Sequence, residues 1–321
     1  MLHQTRSLLA GLLLSLVLVG CSSAGLGRSK SLDPIDYVDP YMGNISHLLV
    51  PTFPTVHLPN GMMRVHPQRT DYASEQIAGL PVILTSHRGV SAFAISPLSA
   101  LSDSLPEVSR YSYDSESVRP YLYEVTLLEP EVRVRYAPSY RSAIYQFNFE
   151  RAKAGHHLVF STPDGELVAS GKNLFGYQQL EDSTLVYLYA ELDAEPTERL
   201  VRDTLTGRLA TVDGVARGNT LCLSFAKQGV TLRYGVSYIS VEQAKRNVER
   251  EIQSFEVNLV AKYGRNEWSK ALDKVEIEGG TPEERRVFYT SLYRTYERMI
   301  CLSEDGRYWS GFDKKVPADE G

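Results

Sequence analysis

Val230–Phe255 reads VTLRYGVSYISVEQAKRNVEREIQSF, and within it a β-rich half of the chain gives way to a helical one. Val230, Leu232, Tyr234, Val236 and Tyr238 place large side chains at every second position, the repeat of a strand with one buried face. That strand ends at Ser240. Ser240 and Gln243 have the spacing at which a serine oxygen accepts from the third helical N–H while the glutamine reaches back to the cap. Val241, Ala244, Val248, Ile252, Phe255 and Leu259 then recur at spacings of three and four, with Glu242, Lys245, Arg246, Glu249, Arg250 and Glu251 on the other face. The pattern predicts one helix from Ser240 to about Tyr263, a rod of about 30 Å at roughly 1.5 Å per residue. A rod of that length connects two modules.

Upstream of it, short β-branched or aromatic runs alternate with turn signals. Strands are expected at Pro81–Ser86, Ser91–Ser96, Tyr121–Leu128, Glu131–Ala137, Ala143–Phe149, His157–Ser161, Thr184–Leu192 and Asn219–Phe225. Glu129-Pro130, Pro163-Asp164-Gly165 and Asp213-Gly214 separate them, and no helical pattern intervenes. Many strands without crossover helices predict a large antiparallel sandwich rather than βαβ units. Asp33–Pro67, rich in Pro, Gly and Asn, reads as irregular backbone leading into the first strand. The chain carries 20 tyrosines against 10 phenylalanines, many within the alternating runs. Half-buried packing accounts for them more simply than sugar-stacking platforms do.

At 321 residues and a net charge of −5, with no concentrated basic run, the chain has no nucleic-acid footprint. Arg6, the apolar run Leu8–Val19 and Leu18-Val19-Gly20-Cys21 form an export signal of the bacterial lipoprotein kind. Cys21 is thereby expected to carry a lipid anchor, with Ser22–Ser31 as a tether that holds the folded part off a membrane in the cell envelope. The remaining cysteines, Cys222 and Cys301, fall in a strand and at a helix end, and are expected to be two buried free thiols. No zinc spacing, Gly-x-Ser-x-Gly elbow or phosphate loop occurs, and the histidines share no metal-ligand spacing.

Past the connector, Asn266–Leu272 has a short helical pattern, Val275–Ile277 reads as a strand, and Thr281-Pro282-Glu283-Glu284 is a strong helix start. Val287, Phe288, Leu292, Tyr296 and Met299 give that helix a wide apolar face that has to pack on something. Leu302–Gly321 reads as a polar loop.

Four stretches in order carry a family resemblance: Tyr37–Gly43 (YVDPYMG), Pro54–Pro67 (PTVHLPNGMMRVHP), Gly235–Ile252 (GVSYISVEQAKRNVEREI) and Val287–Arg307 (VFYTSLYRTYERMICLSEDGR). Together they resemble the N-terminal portion of glycoside hydrolase family 92, calcium-dependent inverting exo-α-mannosidases. The resemblance runs from about residue 36 to the last residue. It implies a mainly β fold, a large antiparallel β-sandwich followed by a helical linker and the first helix of an (α/α)6 barrel that is otherwise absent. The expected divisions are 1–21 signal, 22–35 tether, 36–240 sandwich, 241–273 linker and 274–321 the start of the barrel. Family catalytic carboxylates and most calcium ligands are expected beyond residue 321, so neither a catalytic nor a metal residue is assigned in this chain. The missing barrel is then a covalent or split partner, and a mannose-containing glycan the ligand.

By position, Asp71, Tyr72, His87 and Arg88 of the sandwich loops, with Arg307 and Tyr308 from the barrel side, are the expected sugar contacts. Arginine and histidine donate to hydroxyls, and a tyrosine stacks on a pyranose. Where the family usually has Pro-Phe-Gly-Met, this chain has Pro59-Asn60-Gly61-Met62, and His87-Arg88-Gly89 replaces a longer histidine-containing run. The alternative reading is a non-catalytic carbohydrate-binding surface lipoprotein.

Overall fold

Val230, Leu232, Tyr234 and Val236 all enter one core and are at most 1 % exposed. The computed structural model describes residues 32–45, 48, 52–69, 74–86, 90–102, 105, 109–149 and 155–320. The signal, the Cys21 anchor site and the Ser22–Ser31 tether lie outside these residues. Asp33–Gly321 forms one unit, so the segments read as linker and barrel start pack on the sandwich rather than standing apart from it.

In chain order the strands are β1 Val56–His57, β2 Arg64–Val65, β3 Gln76–Ile77, β4 Leu80–Leu84, β5 Ser91–Leu98, β6 Tyr111–Arg119, β7 Leu122–Leu127, β8 Val132–Pro138 and β9 Ser142–Asn148. They continue as β10 His157–Ser161, β11 Gly165–Ser170, β12 Asn173–Gln179, β13 Leu185–Leu192, β14 Glu198–Arg202, β15 Leu209–Thr211, β16 Ala216–Gly218, β17 Thr220–Ser224 and β18 Gly229–Ser237. β1 and β2 pair with each other. The others form a six-stranded sheet, β15-β14-β17-β10-β5-β4, and a ten-stranded one, β16-β11-β12-β13-β18-β9-β8-β7-β6-β3. Every pairing is antiparallel, so the fold is mainly β, as the strand spacing predicts.

One apolar core fills the space between the sheets, with Phe93, Ile95, Leu158, Phe160, Leu221 and Leu223 from the smaller and Tyr136, Tyr145, Phe147 and Tyr234 from the larger. Two of the buried tyrosines satisfy their hydroxyls across that space: Tyr145 donates to the Pro81 carbonyl at 2.9 Å and Tyr234 to that of Val82 at 2.7 Å. These tyrosines pack rather than present a sugar platform, which is why alternation accompanies them.

The expectation of one buried face on the last strand needs correction, because helices cover the other face too. α1 (Val241–Glu251) and α2 (Val257–Leu272) lie over the outer side of the ten-stranded sheet, and α3 (Pro282–Thr295) packs on α2 and on the short helical turn Pro34–Tyr37. Ala244, Val248, Ile252, Val260, Trp268, Leu272, Tyr289 and Tyr293 form a second core with Ala137, Ile144 and Tyr189 of the sheet. Small residues on β18 permit this approach. A Cβ on Gly235 would sit 2.1 Å from the Ala244 carbonyl oxygen, so the helix backbone rests where a side chain would be.

The single 30 Å rod is likewise two helices. Ile252 leaves the helical region at φ −132° and ψ 99°, and Arg233 Nη1 donates to its freed carbonyl at 2.6 Å. Phe255 then lies under the same guanidinium, 5.1 Å from the ring centroid. A tertiary partner thus ends the helix in the middle of a periodic pattern, and Leu259, counted on the apolar face, is 53 % exposed.

Ser240 does accept from Gln243 N at 3.1 Å, but the Gln243 amide turns away to Asn247 and Asp305 instead of returning to the cap. Thr281 and Glu284 form the complete reciprocal box. On α3 the buried residues are Tyr289, Thr290 and Tyr293; Phe288, Leu292 and Tyr296 pack beside them, while Val287 and Met299 are open to solvent. Val275–Ile277 is not a strand, and Cys301 is exposed, whereas Cys222 is a buried free thiol as expected.

Candidate functional site

Four chain segments meet at one end of the sandwich. Pro59-Asn60 turns the chain between β1 and β2, with Asn60 in the left-handed region at φ 55°, and this turn docks on the end of α3. The Asn60 amide donates to the Arg298 and Met299 carbonyls, both at 3.1 Å, its N–H donates to Tyr296 O, and its own carbonyl accepts from Cys301 N at 3.0 Å. Asn60 therefore satisfies carbonyls of the turn that follows α3.

The residues after α3 are drawn back over the sandwich by carboxylates. Glu304, fully buried, accepts from Tyr238 N and from the Asn247 amide, both at 2.9 Å. Burial pushes its carboxyl above the usual range, and the hydrogen bonds from Ser237, Asn247 and Tyr238 N oppose that rise. Asp305 and Gly306 both have positive φ, and Glu304 and Arg307 exchange backbone hydrogen bonds around them, so these four residues make a tight two-residue turn. Asp305 bonds to Arg250 at 2.5 Å and to the Gln243 amide at 2.9 Å, and the Arg250 bond holds its carboxyl below the usual range. The turn is built to reach α1, and it carries Trp309 onto the sandwich.

Between these segments lies a cleft of about 270 Å³, lined by Met62, Leu84, Thr85, Asp182, Thr184, Tyr238, Ile300, Leu302 and Trp309. Trp309 Nε1 donates to Thr184 Oγ1 at 3.2 Å, and that hydroxyl donates to Asp182 Oδ2 at 3.0 Å. The Thr184 backbone N–H, 3.0 Å from Asp182 Oδ1, lowers the aspartate's pKa, so it stays an ionised acceptor at neutral pH. An indole beside an exposed carboxylate is a pairing that holds a polyol: the ring covers C–H groups and the carboxylate accepts from hydroxyls.

Leu84 is shared with a narrower recess formed by Phe53, Thr55, Arg64, His66, Ser86 and Glu297. Here the Arg64 guanidinium, itself buried, donates to the Leu84 and Glu297 carbonyls at 3.4 Å, and Thr55 Oγ1 donates to Glu297 Oε1 at 2.8 Å. His66 stacks on Phe53 at 4.5 Å, and burial pulls its pKa down to about 4. A neutral histidine and a buried arginine support the wall of the cleft.

Of the sequence-predicted contacts, Asp71, Tyr72, His87 and Arg88 lie outside the described residues. Arg307 is exposed and donates to Gln243 Oε1 at 3.1 Å, and Tyr308 is half-buried with its N–H on Pro317 O. Neither is among the residues that line the cleft; their neighbour Trp309 is. Its signal was available as one of only two tryptophans in the chain, while Asp182 and Thr184 carry none, being an ordinary turn before a strand. Among the described residues no group of three or more His, Cys, Asp or Glu side chains could hold a metal ion.

The profile of the glycosyl hydrolase family 92 N-terminal domain matches residues 37–237, and that of the family's catalytic domain matches residues 243–321. The cleft thus sits where the two matched parts meet. An inverting family 92 mannosidase from Bacteroides thetaiotaomicron superposes with a TM-score of 0.75 at 25 % identity, over 90 % of this chain and 43 % of its own. A second family 92 α-mannosidase from the same bacterium shares the fold, with a TM-score of 0.78 at 20 % identity over 90 % of this chain and 44 % of its own. The chain therefore spans less than half the length of either enzyme. Among curated proteins none matches. With the N-terminal profile alone covering more than half of the 321 residues, and the catalytic profile following it directly, the chain belongs to glycosyl hydrolase family 92.

Proposed function

We propose that the chain is the sandwich part of an exported, lipid-anchored α-mannosidase-like hydrolase that acts on mannose-containing glycans by an inverting, calcium-dependent mechanism. In this reading its catalytic acid and base and most of its calcium ligands lie beyond residue 321. The observation that carries the reading is the cleft at the junction of the two matched domains, where Trp309 and Asp182 are positioned through one hydroxyl, that of Thr184. Export rests on the sequence pattern around Cys21.

In this reading the chain's own residues bind and orient. Trp309 covers one sugar face, Asp182 accepts from ring hydroxyls, and Met62, Leu84, Ile300 and Leu302 exclude water from one side. Inversion itself needs an acid and a base carboxyl about 6.5–9.5 Å apart with water between them. Calcium, where bound, would supply a fixed positive charge for sugar oxygens.

The test is fluorescence titration of the purified chain with methyl α-mannoside, alongside assay of mannose release from an aryl α-mannoside with and without calcium. Saturable binding that Trp309→Ala abolishes, without hydrolysis, is expected. Hydrolysis by this chain would overturn the assignment of the chemistry elsewhere, and absence of binding would overturn the role of the cleft.

A further inference from the structure

The outer face of the six-stranded sheet carries a groove that shares no lining residue with the cleft. On β17, Cys222 and Thr220 turn outward because Leu221 and Leu223 between them fill the sandwich core. Strand pairing then sets Ser161 of β10 opposite Thr220 and Ala94 of β5 opposite Ser161. On the other side, the β14 pairing that sets Val201 against Leu221 brings Arg202 level with Thr220. One transverse row of the sheet is therefore arginine, threonine, serine and alanine. Asn219, Ser96 and Thr162 border it, with Val159 and Leu105 as an apolar floor, and together they enclose about 380 Å³. That volume is in the range of small-molecule sites, roughly 300–1,000 Å³.

Two polar groups in this groove lack what buried polar groups ordinarily have. Arg202 is the one non-exposed arginine among the described residues that donates no hydrogen bond and forms no ion pair, and its Nε is fully buried without a partner. Arg64, Arg69, Arg135, Arg141, Arg199, Arg233, Arg265, Arg285 and Arg294, equally withdrawn from solvent, all donate. Thr220 is only 8 % exposed, lines the groove, and its hydroxyl has no partner among the described residues.

Among the described residues the nearby acids do not compensate. Asp203 spends Oδ1 on its own turn, accepting from Leu205 N, Thr206 N and Thr206 Oγ1, and Glu198 accepts from Thr211 at 2.8 Å. A guanidinium withdrawn from water with no counter-charge is costly, and an anion that reaches it removes the cost.

We propose that this groove binds a small polyhydroxylated ligand bearing one anionic group, a phosphate, sulfate or carboxylate, with Arg202 as the partner of the anion. Thr220, Ser161 and Asn219 supply hydroxyl and amide partners for the rest of the ligand, and the apolar floor takes its C–H face. The floor and the hydroxyl row admit a sugar-sized body, while the single arginine sets the number of anionic groups at one.

Calorimetric titration of the full chain at low ionic strength with glucose 6-phosphate, glucose 6-sulfate, glucuronate, uncharged glucose and inorganic phosphate tests the proposal and separates the three anions. At least one anionic sugar is expected to bind, glucose about tenfold or more weaker, with affinity falling as salt is added. Arg202→Ala is expected to lose about tenfold or more and Arg202→Lys less, because the ammonium keeps charge but not the fork. Thr220→Val, which keeps the shape of the side chain, is expected to weaken binding a few-fold and decides the matter if Arg202→Ala does not fold. Absence of binding by every anionic sugar, or wild-type affinity in whichever of these variants fold, would overturn the site. Inorganic phosphate binding as tightly as glucose 6-phosphate would overturn the sugar-sized part of it.

Discussion

The two faces of β9 and β18, at the centre of the ten-stranded sheet, are both buried, yet they are buried by opposite means. The inner face presents large side chains at alternate positions, Tyr136, Tyr145, Phe147, Leu232 and Tyr234, which meet their counterparts from the smaller sheet. On the outer face, Gly235, Ser142 and Ser237 are small, and helix backbone comes down where side chains are missing. Large residues advertise the core they fill. Small ones are silent, since the same glycine or serine in sequence suits a solvated face equally well. The difference teaches that alternation identifies a strand's large-residue face without saying that its other face is wet.

The largest expected effect breaks the outer face at its tightest point. Gly235→Val places a branched side chain into the Ala244 carbonyl, 2.1 Å from where its Cβ would be, so α1 has to lift. Soluble, cooperatively folding protein is expected to be lost. A variant that melts within a few degrees of the native chain in differential scanning calorimetry would show that the helix does not rest on the strand.

A middle-sized effect asks whether the outer core is dry. His57 is buried against Trp268 and Tyr293 with Nδ1 on the Leu58 carbonyl, and burial pulls its pKa down from 6.5 to about 4; His66, in the cleft wall, is lowered to about 4 as well. Below pH 6.5 the unfolded chain therefore binds protons that the folded chain refuses. Each histidine costs stability progressively as pH falls from about 6.5 to about 4, by up to about 3 kcal/mol, and no further below that. Glu251 and Glu304, whose carboxyls are raised by burial, pull in the opposite direction near the acid end. Urea unfolding of the native chain and of His57→Gln at pH 7 and pH 5 isolates the histidine: the gap between the two should shrink at pH 5. A gap independent of pH would mean that His57 is accessible to protons.

The smallest effect lies at the junction itself. Ser240→Ala removes the hydroxyl that accepts from Gln243 N and is expected to cost about 1 kcal/mol by the same urea measurement. A cost near zero would assign the position of α1 to its packing on Gly235 alone.

In the cleft, legibility followed side-chain size and spacing. Trp309 stands out as one of two tryptophans, but the turn that presents it depends on Asp305 reaching Arg250 and Gln243, residues 55 and 62 positions away. Asp182 and Thr184 become site residues only because the turn before β13 happens to face that tryptophan. Asn60 reads as a turn residue, and only docking beside the end of α3 gives its amide the carbonyls of Arg298 and Met299. Nothing in the order of residues announces Arg202 as unpaired, since being without a partner is a property of the surroundings.

By itself the sequence determined the antiparallel strands, their inward faces, the start of α1 at Ser240 and the capping box of α3, because each rests on contacts within a few residues or on a period of two. The ordered family stretches determined the kinship. Tertiary structure alone decided that the helix breaks at Ile252, that both faces of the last strand are covered, that Cys301 is open and that Tyr289 and Tyr293 rather than Val287 and Met299 face the core. The first two turn on a partner outside the segment concerned: Arg233 takes the carbonyl of Ile252, and Ala244 rests on Gly235. Periodicity records what a segment offers, and the partner that folding brings determines which part of the offer is used.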